Sequence, residues 1–144
     1  MLNCHSVAKY FLSLADEDAG DLISNLKLQK LVYYAQGFYL AIYDKPLFSE
    51  QIKAWEHGPV VPELYRQYKE YGASGIPVPR DVNFDVFDGE TEELLNEIYA
   101  VYGQFSAWKL RTMTHEEHPW QSTDLNDVIS HEAMKTYFKT QLNA

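Results

Sequence analysis

Apolar residues recur at helical spacing along most of this chain, and the pattern breaks at a few Gly, Pro and Asp positions. Val7, Ala8, Phe11, Leu12, Leu14 and Ala15 predict a first helix over about residues 4–16. Asp16 to Asp21 reads as a solvated turn. A second helix is expected to start after Ser24 or Asn25, both good N-caps, and to end near Asp44, because Pro46 follows. Its apolar positions are Leu28, Leu31, Val32, Ala35, Phe38, Tyr39 and Ile42, the i, i+3, i+4, i+7 pattern of a core helix.

Residues 47–56 alternate loosely through Phe48, Ile52 and Trp55 and predict a short strand. Gly58 and Pro59 then read as a break. Pro62 suits the first turn of the next helix, which carries Leu64, Tyr65, Tyr68 and Tyr71 and stops at Gly72. Val82 to Val86 alternates and is expected to pair with the first short strand. A helix over about Glu90 to Tyr102 is expected to turn Leu94, Leu95, Ile98, Val101 and Tyr102 inward. Ser106 is placed to cap a shorter helix through Met113, and Thr114 to Asp124 reads as irregular but ordered. The last helix follows Ser130, with Ile129 and Met134 at staple spacing across its cap. The expected fold is mainly α, a single compact multi-helix domain over residues 1–144 with at most a small β-hairpin.

Composition narrows the function. A chain of 144 residues that is 46% hydrophobic buries a real core as one domain. Aromatics reach 15%, with 11 Tyr, 7 Phe and 3 Trp, which suits both cores and interfaces. Tyr33 and Tyr34, adjacent on one helix, are expected to face different ways, and Trp55 and Trp108 are expected in the core. The net charge is −9, from 12 basic and 21 acidic residues with no basic stripe, so neither nucleic acid nor an anionic membrane is an expected partner. An acidic chain matches a basic protein partner better. The single cysteine, Cys4, forms no internal disulfide. No apolar run reaches the ~20 residues of a membrane span, and no signal-peptide pattern opens the chain. The expected location is the cytoplasm.

Candidate chemistry is sparse. His57, His115 and His118 are the residues from which a small metal-dependent enzyme would be built, but the spacing of the last two is not the His-Glu-x-x-His of a helical zinc protease. Cys4 has His5 beside it, yet neighbours along a helix point in different directions. No nucleophile elbow, Gly-x-Gly-x-x-Gly or P-loop occurs. No catalytic residue, cofactor or metal is therefore assigned. The acidic run Asp81, Asp85, Asp88, Glu92 and Glu93 is a candidate steering surface for a basic partner. Lys27, Gln29, Lys30 and Gln36 lie on the otherwise apolar second helix. Gln29 and Gln36, with Tyr33 between them, read as a polar network that holds the Gly-Pro elbow.

The blocks Leu26-Lys27-Leu28-Gln29-Lys30-Leu31-Val32-Tyr33-Tyr34-Ala35-Gln36-Gly37 and Ala54-Trp55-Glu56-His57-Gly58-Pro59-Val60-Val61-Pro62-Glu63-Leu64-Tyr65, with Pro46-Leu47-Phe48 between and Thr114-His115 and Pro119-Trp120 after, resemble the Panacea domain family. This is the SocA-like group of phage-associated proteins. The resemblance runs over about residues 4 to 140. It implies an antitoxin that binds and suppresses a toxin encoded beside it, without enzymatic activity. One subgroup implies an alternative, a proteolytic adaptor that delivers the toxin to a protease. Some members carry a DNA-binding module, which is not expected here because the chain opens at the domain's first helix. The matching motif residues, Gln29, Lys30, Tyr33, Gln36, Trp55, His57, Gly58, Pro59, His115 and Trp120, are the candidates for scaffold or partner binding.

Overall fold

One long helix organises the molecule, and almost every other element packs on it. In the computed structural model, which describes residues 1–142, that helix is α2, Asn25–Tyr43. The expected domain end at 144 lies outside the described residues. Ser24 caps α2 by accepting the Lys27 N–H, and Asp44 ends it in a left-handed conformation at φ 60°. Before it runs α1, Cys4–Ser13, capped by Asn3, and after it come α3, Pro62–Tyr68, and α4, Gly89–Tyr102, capped by Asp88. Then follow α5, Ala107–His115, capped by Ser106; the single turn α6, His118–Gln121; and α7, His131–Gln141, capped by Ser130. The seven helices of the described residues and two small ladders make the protein mainly α.

The strands pair differently from expectation. Lys53–Trp55 (β2) pairs not with residues 82–86 but with Gly58–Val60 (β3), in register Lys53 to Val60 and Trp55 to Gly58. The turn is Glu56-His57, so Gly58 and Pro59 belong to a strand rather than to a break. Gly58 leaves the turn at φ 108°, a conformation that side chains rarely adopt. Pro59 lies opposite Ala54, whose N–H and carbonyl face away to Asp127 and Asn126, so no ladder bond needs the missing proline donor. The second ladder is two residues long, Ile23–Ser24 (β1) with Gly75–Ile76 (β4). Phe84–Val86 is a 3-10 turn with Phe84 and Val86 exposed.

Packing around α2 corrects further expectations. Tyr33 and Tyr34 are both fully buried, because the middle of α2, Leu28–Gly37, is enclosed on all sides by the elements packed on the helix, among them α1, α4, α5, α7 and the hairpin. Tyr34 stacks on Tyr102 at 4.0 Å, and Phe138 of α7 lies edge-on to both tyrosines. Phe138 also presses on Gly37, where a Cβ would overlap its ring. Ile42 and Val101 are exposed rather than in the core, on a groove they share with Leu142. Trp108 is 60% exposed, because Leu110 and Thr114 supply the inward side of α5 and a residue two before Leu110 points about 200° away around the helix.

Candidate functional site

Six polar side chains of α2 hold the pieces around it. Gln29 Oε1 accepts the Val61 N–H at 3.0 Å, and its Nε2 donates to Asn25 Oδ1, whose own amide donates to the Tyr65 carbonyl. Gln36 Nε2 donates to the Phe48 carbonyl at 2.8 Å while its Oε1 accepts the Leu47 N–H. Lys30 Nζ, fully buried, donates to the Pro59 carbonyl at 3.2 Å. Tyr33 and Tyr34 donate to the two oxygens of Glu117, at 3.1 and 2.8 Å. Each of these groups would be costly to bury unpaired, so the fold of the hairpin and of the α5–α6 link is fixed by where α2 presents its polar atoms.

This enclosure shifts protonation. Burial, followed by the charge of Arg111, brings Lys30 down to about 7. Burial pushes Glu117 up to about 7, against the pull of the two tyrosine hydroxyls. Burial and then Glu117 raise both tyrosines. Burial, and then Arg111, lowers His115.

Outside this clamp the hairpin presents an aromatic and basic face. His57, in the turn, accepts from Arg111 Nε at 2.9 Å through its Nδ1. Arg111 in turn lies over the Trp108 ring at 4.4 Å, and His57 flanks the same ring. Beside His57, Trp55 meets Tyr65 edge-on at 5.2 Å and its carbonyl accepts from Trp120 Nε1 at 2.9 Å. Trp120 stacks on His115 at 4.0 Å. A cleft of about 550 Å³ opens beside the hairpin between Trp55, His57, Tyr65, Lys69 and Leu125.

The ten motif residues thus divide. Gln29, Lys30, Tyr33, Gln36, Gly58 and Pro59 are inside, whereas Trp55, His57, His115 and Trp120 stand at the surface or its rim. The histidines do not gather: no metal-sized group of ligand atoms among the described residues includes His57, His115 or His118. In the acidic run, Asp81 pairs with Lys9 at 2.7 Å, Asp88 caps α4 through Thr91, Glu92 is half-buried, and Asp85 and Glu93 face solvent. Sequence reasoning missed Trp108 and Arg111 as surface residues and Glu117 as the buried partner of both tyrosines. The spacing of Trp108 from Leu110 and Thr114 carried the signal for the first. Nothing local marked Glu117, which lies more than eighty residues from its partners.

Comparison with known proteins agrees with the motifs. Residues 28–121 match the family described as Antitoxin SocA-like, Panacea domain. Antitoxin SocA of Caulobacter vibrioides (strain NA1000 / CB15N) is 32% identical over 110 residues, which is 68% of this chain and 58% of that protein. The chain therefore spans somewhat more than half the length of that curated relative. No solved structure matches it. Among the described residues no helix is long and apolar enough to cross a membrane.

Proposed function

This chain belongs to the SocA-like antitoxin family with the Panacea domain, and from that membership we propose that it is the antitoxin of a toxin–antitoxin pair. It acts by binding rather than by catalysis. Its partner is a protein toxin encoded beside it, which it neutralises by covering the toxin's active surface.

The observation that supports a place for this contact is Trp108, 60% exposed and held between Arg111 and His57. Tryptophan and arginine carry much of the energy of protein interfaces, and a ring already fixed by a cation and an imidazole loses little freedom on binding. With Trp55, Tyr65 and the adjoining cleft, this face offers anchors and a pocket on a hairpin braced from inside by Lys30. The outward-facing carboxylates Asp85 and Glu93, with Asp81, Asp88 and Glu92 beside them, steer a basic partner towards the complex.

The test is co-expression with the product of the neighbouring gene, scored for growth and co-purification together. The expected result is a neighbour that is toxic alone, harmless with this chain, and recovered in a stable complex. A harmless neighbour that does not bind removes the reading. Rescue accompanied by a shortened half-life of the neighbour replaces occlusion with delivery to a protease.

A further inference from the structure

Two helix starts converge on one small cluster unlike anything in the hairpin face. Cys4 and His5 open α1, and Glu63 is the second residue of α3. Cys4 Sγ lies 3.8 Å from Glu63 Oε2, His5 Nε2 lies 3.8 Å from the same oxygen, and the three atoms are all within 4.8 Å of one another. The expectation that neighbours on a helix diverge fails here, because the His5 side chain is long enough to reach Glu63 from the adjacent position. A second carboxylate, Glu50, accepts the Cys4 backbone N–H at 3.0 Å.

Helix dipole alone explains an acid at the start of α3. It does not explain a thiol and an imidazole meeting that acid at one oxygen. Lys53 and Arg66 line the cleft of about 360 Å³ that Glu50 and Glu63 also line, yet neither forms an ion pair with these carboxylates among the described residues. The thiol itself is enclosed, while the His5 and Glu63 side chains are 36% and 53% exposed, so two of the three donors are reachable from solvent.

We propose that Cys4 Sγ, His5 Nε2 and a Glu63 carboxylate oxygen bind one zinc ion, with water in the fourth position and Glu50 anchoring the Cys4 backbone behind them. Sulfur, imidazole and carboxylate are the donors zinc takes, and three protein ligands plus water is an established tetrahedral arrangement. With zinc–ligand bonds of about 2.0–2.3 Å, neighbouring donors in a tetrahedron stand about 3.3–3.6 Å apart. The two 3.8 Å contacts to Glu63 need only a few tenths of an ångström of closure, and the third pair, within 4.8 Å, needs at most about 1.3 Å, which falls to the partly exposed His5 side chain. Without the ion, burial, Glu50 and Glu63 push the Cys4 thiol up to about 12, which makes it a poor nucleophile. With the ion, the cation replaces the thiol proton, which leaves to solvent, and one divalent charge balances the two carboxylates and the thiolate to within one unit.

The experiment uses the full chain, stripped with chelator and titrated with zinc against a chromophoric competitor, and separately loaded with cobalt(II). The expected result is one zinc per chain, one proton released, and a cobalt spectrum with a thiolate charge-transfer band that Cys4→Ser abolishes. Glu63→Gln and His5→Asn are each expected to lower zinc affinity by at least about 10-fold, the lower end of what even outer-shell losses cost. His118→Ala leaves it unchanged. Circular dichroism checks that each variant folds; if Cys4→Ser does not, the partly exposed Glu63 and His5 variants decide. Zinc uptake well below one per chain, a cobalt spectrum without the thiolate band, or wild-type affinity in Glu63→Gln overturns the site.

Discussion

Replacing Lys30 with Met tests how the hairpin is held and what that hold costs. The Lys30 amine is wholly enclosed, with the Pro59 carbonyl as its hydrogen-bond acceptor. In the folded protein it titrates at about 7 instead of 10.5, through burial first and Arg111 second. Between those values the unfolded chain binds a proton that the folded chain does not, so stability rises with pH across this window. The whole gap corresponds to about 5 kcal/mol; about 4 kcal/mol of it still opposes folding at pH 7, and about 2 kcal/mol at pH 9. Methionine keeps the length and apolar stem but cannot titrate. It also leaves the Pro59 carbonyl unpaired, which costs about 1–3 kcal/mol. The expected result is that Lys30→Met is more stable than the wild type by about 1–3 kcal/mol at pH 7 and about level with it at pH 9. Urea unfolding of both proteins at half-unit steps measures this, and the titration of every other group cancels in the difference. A difference that stays constant from pH 7 to 9.5 refutes the reasoning, because it means the buried amine titrates as it does in water.

Other consequences follow from the same geometry. Glu117 holds its proton in the folded state up to about pH 7 against an ordinary 4.5, so its contribution to stability is lost as pH rises between those values. Glu117→Gln keeps an acceptor oxygen for one tyrosine, offers an amide N–H to the hydroxyl oxygen of the other, and removes that loss; its advantage over the wild type grows by up to about 3 kcal/mol from pH 4.5 to 7.5 in urea unfolding, and a constant gap disproves the assignment. Gly58→Ala combines φ 108° with a Cβ placed 2.7 Å from Thr114 Oγ1 and 2.8 Å from Lys30 Cε, so thermal unfolding is expected to reveal a loss of at least about 2 kcal/mol. Trp108→Ala is expected to weaken the toxin complex by about 2 kcal/mol or more in calorimetry while leaving the melting temperature of the free chain unchanged; full affinity moves the interface elsewhere. Charge reversal at Asp85 and Glu93 is expected to slow association and flatten its salt dependence in stopped-flow mixing, and unchanged kinetics remove the steering role.

The helices were legible because their starts are chemical. Ser24, Ser106 and Ser130 each accept the N–H three residues on, as their positions before apolar runs implied. What misled was the reading of single residues against a half-exposed helix. α2 is enclosed on every side over Leu28–Gly37, so the rule that adjacent tyrosines face apart put one of them in water when both are in the core. The Gly58-Pro59 pair read as a break because both residues are rare in strands. Its strand role depends on Ala54 turning its polar groups to residues 126–127, a contact across some seventy positions that no local pattern shows. The same distance hid Glu117 from Tyr33 and Tyr34, and Glu63 from Cys4 and His5.

The split of the motif between inside and outside bears on how its function is inherited. Gln29, Lys30, Tyr33, Gln36, Gly58 and Pro59 are buried; they set the path of the hairpin and of residues 47–48 before it, the start of α3 and the α5–α6 link. The signature by which the chain is recognised is therefore mostly a description of a scaffold. On the proposed function, partner choice lies in exposed residues such as Trp108, with Arg111 over its ring, and in rim residues such as His57 and Trp120. A scaffold fixed from within by buried polar groups tolerates substitution at such exposed positions, because none of the clamping hydrogen bonds passes through Trp108. Membership of the family consequently speaks to the scaffold more than to the partner, and on the proposed function grafting the Trp108–Arg111–His57 face onto a relative is expected to move partner preference with it.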